Sequence, residues 1–238
     1  TRWIKRLVFT LKERYSMSSS AKKNQDTILT IIGLLAMILL AGTKIVPSSQ
    51  IAGYSVFVGI AFFFLVEAAA KTRDTDSGLR FRTIFEDIKK PGVLPWMLLP
   101  IVSAIATLIV GNLIFGGAFV SHIMGRTSSI LSFDAIPLLI GQVIIAALGE
   151  EIAFRGFFVG KAMKIVPFWL CAVVSSVVFA AGHIAVGTIN LVAFDIAGIF
   201  IDSMIYAMIY RKSGNCLVCT ISHILCNGTG IAAALLFF

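Results

Sequence analysis

Six residues of this 238-residue chain combine acid, base and hydrogen-bonding chemistry: Glu150, Glu151, Arg155, His183, His223 and Asn227. All of them fall within long apolar runs. A charged side chain near the middle of a bilayer costs roughly 2.5–3.5 kcal/mol, so such groups point to a function that needs ionisable side chains away from bulk water. Glu151 and Arg155 stand four apart, the spacing at which helical side chains meet and ion-pair. Glu150 projects about 100° around the helix from its neighbour and is left for a different partner. A carboxylate without a local counter-charge can exchange a proton with a bound water. His223 and Asn227 are also four apart and share one helical face. These residue types suit hydrolysis. A carboxylate and an imidazole can bind and deprotonate a water; a second imidazole and a carboxamide can stabilise the oxyanion formed at a carbonyl.

The same residues allow other chemistry. Cys216-x-x-Cys219-x-x-x-His223 has a spacing at which thiolates and imidazole could hold zinc, although small cysteines also serve as packing residues. His183, His223 and Glu150 could instead form a hydrolytic zinc site. Cys226 beside Asn227 leaves a thiol nucleophile open. Glu151, Arg155 and His183 could equally be polar ties between helices. Asp195, Asp202 and Tyr206 lie on one helical stripe and could bind a cation, relay protons or bond neighbouring helices. A proton- or ion-coupled transporter would show inverted repeats and paired broken helices, and the sequence shows neither pattern. A non-catalytic membrane scaffold or immunity protein is the third class.

The elements that must position these groups are membrane helices. The chain is 58% hydrophobic and 13% charged, too apolar for a soluble domain of this length. Continuous apolar runs, without the alternation of barrel strands, predict an all-α polytopic bundle of about seven spans. The runs are Thr27–Thr43, Ile51–Ala70, Gly92–Phe115, Pro137–Gly160, Val166–Val186, Ile189–Tyr210 and Asn215–Phe237. The net charge of +8 is concentrated before the first run and between the second and third. That asymmetry predicts a cytoplasmic N terminus and accounts for the basic excess without nucleic acid. Residues 1–26 read as a basic cytoplasmic segment, with an amphipathic surface helix over Thr1–Tyr15 and a flexible connector after it. Residues 27–238 read as one transmembrane domain whose catalytic half is 137–238.

Within the last run, Cys216, Cys219, His223, Cys226, Asn227 and Gly230 project within an arc of roughly 100° and should face the bundle interior. Leu217, Val218, Ile221, Ile224 and Leu225 project the other way. Glu67, near a cytoplasmic end, is placed where it can snorkel to the interface. The loop 71–90 mixes charge signs and should hold some surface helix; 116–133 should be an external loop or short interfacial helix. With these boundaries Glu150 lies past mid-membrane and His183 near the external end of its span. They meet only if helices tilt or the fifth span is shifted.

Glu150-Glu151-x-x-x-Arg155, Phe179-x-x-x-His183 and His223-x-x-x-Asn227, in that order on three helices, resemble the CPBP family, the CAAX proteases and bacteriocin-processing (Abi) enzymes. The likeness covers about Pro137 to Gly230. It implies an intramembrane glutamic endopeptidase that needs no metal. Glu150 would activate the water with help from His183, His223 and Asn227 would form the oxyanion hole, and Glu151 and Arg155 would organise the site. The implied partners are the lipid bilayer and a membrane-associated peptide or protein substrate, in CAAX-type, pheromone or bacteriocin processing or in immunity. The expected setting is a bacterial or archaeal cell membrane, with the oligomeric state left open.

Overall fold

The computed structural model describes residues 25–46, 48–71, 77–128 and 131–237. The expected surface helix and connector of the N-terminal segment lie outside these residues. The described residues form nine helices: α1 (Gln25–Ile45), α2 (Ile51–Ala70), α3 (Ile84–Ile88), α4 (Val93–Phe115), α5 (Gly117–Ser128), α6 (Ile136–Ala162), α7 (Phe168–Ala181), α8 (Ile189–Ser213) and α9 (Cys216–Phe237). Six of them are long and apolar enough to cross a bilayer. Exposed residues such as Leu39, Phe57, Leu113, Ile145 and Leu236 give the bundle an apolar exterior suited to acyl chains. The protein is an integral, multi-pass, all-helical membrane protein.

The six long helices agree with the runs read from the sequence to within three residues at each end. The fifth run does not. Helix α7 has 14 residues, about 21 Å at 1.5 Å per residue, short of a hydrocarbon core of about 30 Å. Gly182 ends it, and 183–188 return as irregular chain before α8 begins. His183 therefore sits just past the helix end, and it lines the same cavity as Glu150.

Helix α6 is the central strut. From Glu151 to Ala162 every residue is buried, the pattern of a helix surrounded by neighbours. Ile152–Val159 within it takes the wider π geometry, which occurs as short insertions and often at functional sites. Small residues let partners close on this wide turn. A Cβ on Gly59 of α2 would stand 2.6 Å from the Cβ of Ala153, and a Cβ on Gly160 would collide with the Tyr210 hydroxyl oxygen. Both glycines are therefore close-approach sites between helices. The lower end of α6 is pinned by Lys161, which pairs with Glu67 and lies over the Phe63 ring. Glu67 thus turns inward to a buried lysine instead of snorkelling, because the closeness of α2 and α6 offers it a counter-charge.

On the side of the basic loops, a polar staple fixes the turn that launches α9. Asp87 of α3 is buried and binds Arg80 (3.0 Å), Thr83 (2.8 Å), Lys90 (2.7 Å) and the Asn215 amide (2.9 Å). Arg80 and Lys90 also donate to the Ser213 carbonyl, at 3.1 and 2.7 Å. Gly214, with φ +69°, makes the left-handed turn between α8 and α9. This wrapping explains why Leu217 and Val218, expected to face lipid, are buried. Burial raises the Asp87 carboxyl, but the bonds from Lys90, Asn215, Thr83 and Arg80 outweigh it and bring the group from 3.8 down to about 2. A carboxyl depressed on folding stabilises fully above its unfolded value and loses that contribution as pH falls through the folded one. The melting temperatures of wild type and Asp87→Asn in detergent should therefore differ most above pH 4 and converge towards pH 2. A constant gap across pH 2–5 would show that Asp87 acts by shape alone.

Candidate active site

The wide turn of α6 carries the acid pair, and the remaining groups converge on it from α7, α8 and α9. Glu151 is wholly buried. Its Oε1 accepts from Arg155 Nη1 at 3.0 Å and from His223 Nδ1 at 2.8 Å. The expected i,i+4 ion pair is present, and it extends to an imidazole on another helix. Arg155 Nη2 donates to the Ser203 hydroxyl (2.8 Å) and carbonyl (3.0 Å) on α8. Its guanidinium lies between two rings, 4.9 Å from Phe179 and 5.0 Å from Tyr206. A planar cation stacks well in such a slot and offers its edge to hydrogen bonds.

Glu150 faces the other way, into a cavity of about 750 Å³ that it lines together with His183, Asp202, Tyr206, His223 and Asn227. Its Oε2 stands 3.7 Å from His223 Nε2, too long for a direct hydrogen bond. The partner left for Glu150 is thus the second nitrogen of the histidine that Glu151 orients. Asn227, one turn beyond His223 on α9, lines the same cavity.

Phe179 explains its own place in the spacing. Its ring packs on Arg155 and, at 4.6 Å, on His183, and its carbonyl oxygen lies 2.7 Å from His183 Nδ1. A carbonyl only accepts, so Nδ1 carries the proton and neutral His183 presents Nε2 as an acceptor. For His223 the same logic runs differently. The Glu151 carboxylate accepts a hydrogen bond from Nδ1–H, so Nε2 can donate only from an imidazolium. Tyr206 stacks on the His223 ring at 4.7 Å and 27°, holding it edge-on to Glu150.

The stripe of Asp195, Asp202 and Tyr206 divides. Tyr206 and Asp202 line the inner cavity, whereas Asp195 lies nearer the mouth. There it is buried against His122, at 3.2 Å, and Arg126, at 3.2 Å, both from α5. Neither α5 residue was singled out from the sequence. A histidine and an arginine four apart in a region read as an external loop were the available signal. Ser203 was likewise missed; nothing in its sequence surroundings marks it.

Zinc finds no fit. Among the described residues no three His, Cys, Asp or Glu side chains converge closely enough to hold a metal ion. Cys216 and Cys219 are buried, and Cys219 Sγ points at the Tyr206 and Asn215 carbonyls, at 3.5 and 3.8 Å. Cys226 lines the cavity with its Sγ 3.3 Å from the Pro100 carbonyl.

The cavity opens on the face opposite the basic loops, between the α1–α2 connection, α5 and the return after α7, where Lys44, Arg126 and Val186 line it. No curated protein and no solved structure matches the chain. Residues 132–229 match the family model described as Type II CAAX prenyl endopeptidase Rce1-like. That stretch contains all six residues of the acid, base and amide constellation, and the match supports the CAAX protease family and points to a membrane-embedded peptidase.

Proposed function

We propose that the protein is an intramembrane glutamic endopeptidase acting on the tail of a membrane-associated peptide or protein. What supports this reading most is the bridge across the cavity, with Glu151 and Glu150 on the two nitrogens of one histidine at 2.8 and 3.7 Å. A water between Glu150 and the acceptor Nε2 of His183 loses a proton to Glu150 as it attacks the scissile carbonyl. Charge then develops on the carbonyl oxygen. His223, as an imidazolium, and the Asn227 amide donate to that oxyanion. Glu150 returns its proton to the departing amine, completing hydrolysis with no covalent intermediate. Glu151, Arg155, Ser203 and Tyr206 hold His223 in place, as an orienting carboxylate does in a serine protease triad.

A scaffold would need none of this polarity at the cavity surface. Glu150 and His183 are only partly buried while Glu151 and Arg155 are sealed, a division suited to one reactive layer over one structural layer. With the basic loops cytoplasmic, the cavity faces the external side, and water enters from there. Mass spectrometry of membrane peptides from cells carrying wild type or Glu150→Ala tests the function. A product present only with wild type is expected, and its sequence names the cleaved bond. Identical peptide sets would leave the protein without the proposed activity.

A further inference from the structure

The end of the bundle that carries the basic loops has an outer surface that the active site does not use. Residues 78–90, between α2 and α4, have two faces. Inward, Asp87 is buried and bonded to Arg80, Thr83, Lys90 and Asn215, and the Gly78 carbonyl accepts from the Cys216 N–H at 2.7 Å. Outward, Phe81 is 68% exposed and Phe85 79%, with Arg82, Glu86 and Lys89 exposed around them. Two exposed rings in water would invite association. Beside charged residues at a bilayer surface, they are the pattern of an interfacial segment.

The height of this segment follows from its attachments. It bonds to Ser213 and Asn215, at the turn between two spanning helices, and α4 begins at Val93, shortly after α3 ends at Ile88. At the same end of the bundle, α7 starts with Phe168 and Trp169. The Arg211 guanidinium stands over their rings at 4.5 and 5.5 Å. Trp169 is exposed, and a tryptophan so placed marks the level of the lipid headgroups.

Charge says which headgroups. Lys71, Arg82, Lys89, Lys164, Arg211 and Lys212 are exposed at this end, against one exposed carboxylate, Glu86, among the described residues. Lys212 Nζ lies 3.2 Å from the place that a Cβ on Gly92 would take. Its ammonium therefore stands beside the turn that follows Lys89. Basic side chains at this level are drawn to an anionic leaflet, and the attraction fades within a Debye length.

We propose that the 81–89 segment, with Lys212 beside it, is a docking surface for anionic phospholipids of the leaflet that the basic loops face. Phe81 and Phe85 lie among the upper acyl carbons, and Arg82, Lys89 and Lys212 bind the phosphates. The surface is independent of the peptidase reading. Because Asp87 ties the same segment to the turn that launches α9, bound lipid also braces the helix that carries His223 and Asn227.

The test places the full-length protein in vesicles of equimolar phosphatidylglycerol and phosphatidylcholine, with brominated acyl chains on one lipid or the other. Phe85→Trp puts a fluorophore on the surface, and its emission, taken as the difference from wild type, reports the adjacent lipid. Brominated phosphatidylglycerol should quench that emission at least about threefold more effectively than brominated phosphatidylcholine, a modest share of what three cations supply at an anionic surface. Raising salt from about 0.1 M to about 1 M shortens the screening length from about 10 Å to about 3 Å and should remove most of the preference. Adding Arg82→Gln, Lys89→Gln and Lys212→Gln should bring the ratio towards one. Lys5→Gln with Arg6→Gln, in the N-terminal segment, should leave it unchanged. Equal quenching by both lipids overturns the proposal, and this result needs no charge variant to fold. A preference that survives the triple substitution, or is lost in the N-terminal control, overturns it as well. Emission that neither lipid quenches would place the surface in water, open to a soluble partner, and would also overturn it.

Discussion

Glu150→Gln should lose turnover by about 10²–10⁴-fold, the usual contribution of a positioned general base, and keep its melting temperature. The substitution preserves shape, and the Glu150 side chain is 22% exposed to the cavity, with its nearest basic nitrogen 3.7 Å away. Little native structure depends on it. The loss should fall in kcat, because the carboxylate acts as the water attacks and not as the substrate docks. Residual turnover above about a tenth of wild type would move the base elsewhere, with His183 next in place.

The neighbouring residue should behave in the opposite manner. Glu151→Ala leaves the Arg155 guanidinium buried without its carboxylate, and Arg155 has no solvent exposure. Breaking one side of a buried pair typically costs about 3–5 kcal/mol, while replacing both partners with apolar residues is often close to neutral. Glu151→Ala and Arg155→Met should each lower the melting temperature sharply, and the double variant by much less than their sum. The double variant should still be inactive, since His223 has lost the acceptor of its Nδ1 proton. Additive destabilisation would mean that Glu151 and Arg155 act independently. The expected results separate the two adjacent glutamates into one chemical and one structural group.

Much of this was legible before any coordinates. Apolar runs located six long helices because membrane crossing sets a length that composition cannot disguise. Local spacing revealed the Glu151–Arg155 pair and the shared face of His223 and Asn227, since four residues of helix return a side chain to its starting side. What stayed hidden was non-local. That His223 bonds Glu151 at 2.8 Å across two helices depends on how α6 and α9 pack, which no spacing encodes. The early end of α7 was masked because Ile184, Ala185 and Val186 continue the apolar run after the helix stops at Ala181. The π turn has no compositional mark beyond small residues, and Asp195 could not be matched to His122 and Arg126 seventy positions away. The inward pairing of Glu67 with Lys161 follows from the same cause, close packing of α2 on α6.

The most direct measurement is cleavage of a farnesylated C-a-a-X peptide by purified protein in lipid vesicles, comparing wild type, wild type with a strong chelator, and Glu150→Gln. A water activated by a carboxylate predicts equal product in the first two and none in the third. Loss of product with the chelator and its return with zinc, or undiminished cleavage by Glu150→Gln, would contradict the account.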